Sequence, residues 1–304
     1  MTSVFRPKAT ALITGGASGV GFAIAQLCRS YDMNLILVDV HAENLANAHI
    51  MVGDTPKAKT FTHVMDVADL ASWEYLRGKV ADRFPEGVDL LVLNAGAAMK
   101  PKEAEKPWED PEYFQKTFST NIMGVVNGLS TFLPVVTTKS QEPDRKQAIV
   151  ITGSKQGITN PPGGKNPAYN ASKAAVKSIA EHLGHDLQGN KNISIHLLVP
   201  GWTYTSLTGS SGVIPDVNKP KGAWLPKQVA GYLYEKMGKG DFYIICPDED
   251  VTEAMDEARM AWAMGDVMER RPPLSRWNDM WSSVAAEWIH KEMEKRAKPE
   301  AEGL

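Results

Sequence analysis

Cysteine is nearly absent from this chain: Cys28 and Cys246 are the only two among 304 residues. Two isolated thiols exclude a disulfide framework and a thiolate metal cluster, and they fit a reducing compartment. No apolar run approaches the roughly 20 residues that cross a bilayer as a helix. The opening stretch MTSVFRPKATALITGG runs straight into a strand-like segment, without the organisation of a secretion signal. A cytoplasmic protein is expected. Neither charge sign dominates: the formal net charge is −3, which leaves no electrostatic footprint for nucleic acid. The seven histidines are scattered. His182 and His185 lie three apart on a predicted helix, but no further ligand stands at metal-binding spacing, so no metal is expected.

Apolar content is 43%, enough to bury a sizeable core. Short apolar runs at 9–14, 34–39, 60–65, 88–94, 147–152, 193–199 and 242–246 read as strands. Most are apolar on both faces, as parallel strands covered by helices are. Helix-period segments lie between them near 20–31, 42–51, 69–84, 111–136, 168–188 and 226–238. The alternation predicts an α/β fold with a doubly wound parallel sheet of about seven strands. Residues 1–250 are expected to form one domain of this kind. Beyond 250 the strands stop, and 251–304 reads as a C-terminal helical extension with helices at 251–270 and 275–295. Trp277, Trp281 and Trp288 then fall on one helix face, to cover either the chain's own body or a neighbouring subunit. The stretches 138–146, 156–167 and 206–226 read as loops.

TGGASGVG (14–21) ends the first strand and opens the first helix. Gly15 allows a tight turn, Gly19 lets backbone approach a pyrophosphate, and Gly21 permits close packing of helix on strand. The helix N-terminus, with Ser18 and Val20 beside it, then faces the phosphates with N–H groups and a favourable dipole. Glycines also mark plain turns, but here they sit at the junction that nucleotide binding requires. Asp39 ends the second strand, 18 residues after Gly21. A carboxylate there accepts hydrogen bonds from ribose hydroxyls and repels a 2′-phosphate; its plainer use is a helix cap. No arginine or lysine lies in the glycine loop or directly after Asp39, which favours NAD over NADP.

PAYNASKAAVKS (167–178) carries Tyr169 and Lys173 one helical turn apart on one face. Alone, such a pair is usually an ordinary helix face. In company with TGGASGVG, MDVAD (65–69), LNAGA (93–97), Asn121 in STNIMGVVNG, Ser154 in IVITGSKQG and PGWTYT (200–205), it resembles the short-chain dehydrogenase/reductase family over roughly residues 5–250. GGASGVGFA, GVVNG and FYIICPDEDVTEAM are more narrowly similar to bacterial dehydrogenases that oxidise benzylic secondary alcohols in lignin-derived aryl ethers. The resemblance implies an NAD-dependent alcohol dehydrogenase or ketoreductase that assembles as a homodimer or homotetramer. It implies that Asp66 and Val67 hold the adenine and that Asn94, Ala95 and Gly96 line the cofactor groove. Pro200, Gly201, Thr203 and Thr205 would surround the nicotinamide. Ser154 and Tyr169 would bind the substrate oxygen, Lys173 the nicotinamide ribose, and Asn121 a water that links Lys173 to solvent. Gly153-Ser154 departs from the usual double serine, and the separation of 15 positions from Ser154 to Tyr169 slightly exceeds the family's interval.

A phenol beside an ammonium is expected to lose its proton more readily than at its ordinary pKa near ~10. Tyr169 could then act as general base toward an alcohol, and as acid toward a carbonyl in reverse. Met99, Trp202, Tyr204 and Trp224, together with Phe118, are the candidates for an apolar substrate pocket. A bulky, partly aromatic secondary alcohol or ketone is the expected partner. An NAD-responsive regulator, or a lyase or epimerase on the same scaffold, remains the alternative.

Overall fold

The computed structural model describes residues 3–102, 106–142, 144–163, 166–205, 207, 212–213 and 218–297. Among the described residues, seven strands form one parallel sheet: β1 (Thr10–Thr14), β2 (Asn34–Asp39), β3 (Thr60–Val64), β4 (Leu90–Leu93), β5 (Gln147–Thr152), β6 (Ile193–Val199) and β7 (Tyr243–Ile245). Their order is β3-β2-β1-β4-β5-β6-β7. Each lies within two residues of its expected span. Side chains alternate between faces. Ala11, Ile13, Leu35 and Leu37 enter one core, and Leu12, Ile36, Val38 and Leu91 the other. Helices α1 (Gly19–Ser30) and α2 (Ala42–Val52) feed the first core, and α3 (Leu70–Arg83) feeds the second.

The expected single helix over 111–136 is instead α4 (Pro111–Phe118), a π-helical turn (Ser119–Met123) and α5 (Gly124–Lys139). Two glycines bring α5 close to the sheet layer: a Cβ on Gly124 would stand 2.7 Å from Val67, and one on Gly128 2.5 Å from Leu93. The wider turn seats the buried Asn121 against Ala97. The expected loop 156–167 contains a short helix, α6 (Gln156–Thr159). A Cβ on Gly157 would lie 2.5 Å from the Lys173 backbone, so this turn lies flat on α7 (Pro167–Leu187). Helix α8 (Pro226–Lys239) packs on α1 through Val229 and Leu233. Among the described residues no helix is long and apolar enough to cross a membrane.

The chain closes with α9 (Glu253–Met268) and α10 (Asp279–Arg296). Their shared core is Ala258, Trp262, Ala285 and Ile289, with Trp281 and Met293 against it. The Trp262 and Trp288 rings lie 5.4 Å apart, and Trp262 Nε1 donates to Ser275 Oγ at 2.8 Å. The expected face of three tryptophans is corrected at Trp277. Asn278 caps α10 by accepting from Met280 N–H, so the helix starts after Trp277, which sits in a 3-10 turn. Its Nε1 donates to Asn160 O at 2.8 Å and ties the helix pair to the body. Deletion of everything after Arg271 uncovers Trp262. The truncated protein should aggregate or change its assembly state in size-exclusion chromatography with light scattering. A soluble truncation of unchanged size would show that α10 covers nothing essential.

Candidate active site

Strand order reverses between β1 and β4, and a parallel sheet opens a crevice beyond its carboxyl ends at such a point. Asn94, directly after β4, stitches the split. Its backbone N–H donates to Thr14 Oγ1 at 2.9 Å, its Nδ2 donates to Thr14 O at 3.2 Å, and its Oδ1 accepts from Thr152 Oγ1 at 3.2 Å. The crevice measures about 800 Å³ and runs from Asp39 past Gly15 to Tyr169 and Lys173.

At one end lies the glycine turn. Gly15 and Gly19 have φ of 63° and 53°, a region that favours glycine. A Cβ on Gly21 would stand 2.2 Å from the Gly15 carbonyl oxygen, so α1 meets β1 closely only with glycine there. Ser18 and Val20 line the crevice beside them. Asp39 Oδ2 accepts from Ala17 N–H at 3.2 Å and Oδ1 from His41 N–H at 3.1 Å. The carboxylate thus fastens the glycine turn to the end of β2 and keeps lone pairs toward the crevice. Asp66, Val67, Ala95, Gly96, Pro200, Gly201, Thr203 and Thr205 continue the lining. A narrow glycine cradle at a helix N-terminus, with a carboxylate at the neighbouring strand end, fits a dinucleotide.

At the other end, Asn166 caps α7. Its Oδ1 accepts from Tyr169 N–H at 3.0 Å and from Tyr113 OH at 2.5 Å, and its Nδ2 donates to Met99 O at 3.1 Å. This cap sets the first turn of α7 and, with it, Tyr169. Lys173 Nζ is buried, donates to Thr152 O at 2.7 Å, and lies 5.8 Å from the Tyr169 ring centre. A Cβ on Gly96 would stand 3.4 Å from both Lys173 Nζ and Asn121 Oδ1, so Gly96 lies between the two side chains. The Asn121 side chain accepts from Ala97 N–H at 2.8 Å and donates to Ala97 O and Ser172 Oγ. Asn121 itself does not line the crevice.

The electrostatics correct one expectation. Burial raises the Tyr169 pKa, and the hydrogen bond with Ser154 only partly opposes it. Burial also lowers Lys173, to about 8. Desolvation is the largest cause at both groups, because burial away from water disfavours the charged form of each.

Of the four apolar candidates, Met99 lines the crevice, whereas Trp202, Tyr204 and Trp224 do not. The reason is a short ladder: Trp224 N–H donates to Trp202 O and Tyr204 N–H to Trp224 O, both at 2.8 Å. Trp224 stacks edge-on against Tyr232, and Trp202 is exposed. Phe118 packs on Phe114 outside the crevice. Much of the expected wall at 103–105, 206, 208–211 and 214–217 lies outside the described residues. The lining adds Val40, His41, Ala98 and Thr120. The first two directly follow Asp39 in sequence, which was the available signal. No group of His, Cys, Asp or Glu among the described residues is arranged to hold a metal.

The short chain dehydrogenase family model matches residues 9–212, more than half of the chain. The protein therefore belongs to the short chain dehydrogenase family of oxidoreductases. Levodione reductase of Leifsonia aquatica is 31% identical over 213 residues, 70% of this chain and 76% of that protein. A short chain dehydrogenase/reductase from Burkholderia phymatum, solved in complex with NAD, has a TM-score of 0.73 at 26% identity, over 90% of this chain and 98% of that one. An alcohol dehydrogenase from the archaeon Thermococcus sibiricus, complexed with 5-hydroxy-NADP, has a TM-score of 0.62 over 76% of this chain and 91% of that one. At 24% identity that likeness speaks for the fold alone. Curated relatives are matched over 65% to 95% of their own length.

The glycine contact gives a test of sign. On helix propensity alone, Gly21→Ala would stabilise by about 1 kcal/mol. The overlap with the Gly15 carbonyl reverses that and should cost about 1–3 kcal/mol, as overpacking does. A lowered midpoint in thermal unfolding is expected, and a raised one would contradict the close approach.

Proposed function

We propose that the protein moves a hydride between NAD and a secondary alcohol or its ketone, with Tyr169 as the acid–base group. The observation that carries this reading is convergence. Tyr169, Ser154 and Lys173 line one end of a crevice whose other end holds the glycine turn and Asp39. In this reading the Gly15–Gly21 backbone holds the pyrophosphate, and Asp66 and Val67 flank the adenine. Lys173 holds the nicotinamide ribose, and Pro200, Gly201, Thr203 and Thr205 border the ring. Bound NAD supplies the hydride acceptor and a positive charge beside the phenol. Ser154 orients the substrate oxygen, and Tyr169 takes the hydroxyl proton during oxidation or returns it during reduction. Asn121 anchors a water that links Lys173 to solvent. Met99, Ala98 and Thr120 also line the crevice, and the proposed substrate is a bulky, partly aromatic one on the strength of the sequence resemblance. A homodimer or homotetramer in the cytoplasm completes the proposal.

Tyr169→Phe keeps the ring but removes the transferable proton, so turnover should fall by about 10²–10⁴-fold with NADH affinity little changed. Burial opposes formation of the phenolate. Oxidation, which needs the deprotonated phenol, should therefore quicken as pH rises from 7 to 9, while reduction should not. Assays on a panel of aryl alcohols decide this, and near-normal turnover in the variant refutes the role.

Cofactor preference rests on Asp39. The lining near Asp39 offers His41 but, among the described residues, neither arginine nor lysine. A 2′-phosphate a few ångströms from the carboxylate is repelled by several kcal/mol at an effective dielectric of ~20. NAD should be preferred by about 10²-fold or more, since ~1.4 kcal/mol is tenfold. Asp39→Ala should weaken NAD and narrow the gap in kcat/KM. Equal or better use of NADP by the unaltered protein would contradict the assignment.

A further inference from the structure

Lys155 follows Ser154 directly, and its ammonium is turned away from the crevice into a largely buried ion cluster. Nζ lies 2.5 Å from Asp256 Oδ2 on α9 and 3.5 Å from Asp248 Oδ2 after β7. The side chains are 16%, 6% and 9% exposed for Lys155, Asp256 and Asp248. Asp248 Oδ2 also accepts from Trp202 N–H at 3.1 Å, within the segment that borders the crevice at Gly201 and Thr203. The fit is tight. A Cβ on Gly201 would stand 2.6 Å from Asp248 Oδ2 and 2.9 Å from Lys155 Nζ.

The turn that bears Ser154 is thereby held from two sides. Gln156 N–H donates to Ser154 Oγ at 3.2 Å and Gly157 N–H to Ser154 O at 3.0 Å. On one side Gly157 lies against the backbone of Lys173. On the other, Lys155 is anchored to α9. A buried charge with one partner removed is left uncompensated, so the turn must move or water must enter.

We infer that Lys155 and Asp256 are positioning residues: the pair couples the C-terminal helices to Ser154 and, through Asp248, to the 200–205 segment. This rests on the proposed roles of Ser154 and Tyr169. Lys155 touches neither substrate nor cofactor in this arrangement. It fixes where the Ser154 hydroxyl stands relative to Tyr169, and a displacement of about 1 Å in such a group costs up to 10²-fold in rate.

The experiment uses the full chain with 1-phenylethanol and NAD as probes, and compares Lys155→Met, Asp256→Asn and Lys155→Arg. Hydrogen exchange of 153–159 and 200–205 is followed beside the kinetics. Loss of the pair should lower kcat about tenfold or more, leave the NADH dissociation constant within about threefold, and speed exchange in both segments but not in β1. Lys155→Arg should retain most of kcat. Lys155→Met combined with Asp256→Leu should be no slower than Lys155→Met alone, because paired groups are not additive. If Lys155→Met does not fold, Asp256→Asn, which keeps the size, carries the test. Folded variants with unchanged exchange and unchanged kcat overturn the inference, as does lost stability with kcat intact. Tyr169→Phe is measured in parallel. Its inactivity beside an active Lys155→Met sinks this inference alone, whereas its full activity sinks the underlying reading as well.

Discussion

Strands β1 and β4 run side by side, yet the chain leaves them toward opposite faces of the sheet. Everything at the site follows from that parting. The crevice needs no side chain to hollow it out, only a means to stop the two strand ends from separating further. Thr14, Asn94 and Thr152 supply it by linking β1, β4 and β5 through hydrogen bonds at their carboxyl ends. The glycine turn, Ser154 and Pro200 follow strand ends on this same edge, and Asp39 is itself one. Parallel strands deliver their next residues to one edge, so groups far apart in sequence meet there.

Burial then sets the chemistry. Tyr169 and Lys173 are held out of water, and each shifts toward its neutral form. In the free protein the phenol is therefore harder to ionise than its proximity to an ammonium suggests. A cationic nicotinamide in the crevice would act against that shift, so under the proposed mechanism activation of Tyr169 would wait on the oxidised cofactor. The Asn166 cap does the mechanical part. One amide joins Tyr169, Tyr113 and Met99, so the phenol inherits the rigidity of three elements.

The strands and long helices were legible because their apolar patterns have clean periods. TGGASGVG was legible because it joins the first strand to the first helix, and YNASK because its tyrosine and lysine sit one turn apart on α7. Other features were not. The π turn at Asn121 depends on how closely Gly124 and Gly128 approach Val67 and Leu93, a tertiary distance without local signature. Trp277 left the predicted helix because Asn278 is the better cap. Trp202, Tyr204 and Trp224 do not line the crevice as described, because frequency near a motif says nothing of direction. Lys155 is one residue from Ser154, but its partner Asp256 lies on a helix whose docking no pattern in the sequence predicts.

Transfer of hydrogen from carbon to the cofactor is the central claim, and an isotope follows it directly. The protein would be given NAD and 1-phenylethanol deuterated at the carbinol carbon, and the reduced nicotinamide analysed by mass spectrometry. Direct transfer predicts NADH that carries one deuterium per ketone formed. NADH without the label, or alcohol consumed with no reduced cofactor, would contradict hydride transfer and favour a lyase or epimerase on this scaffold.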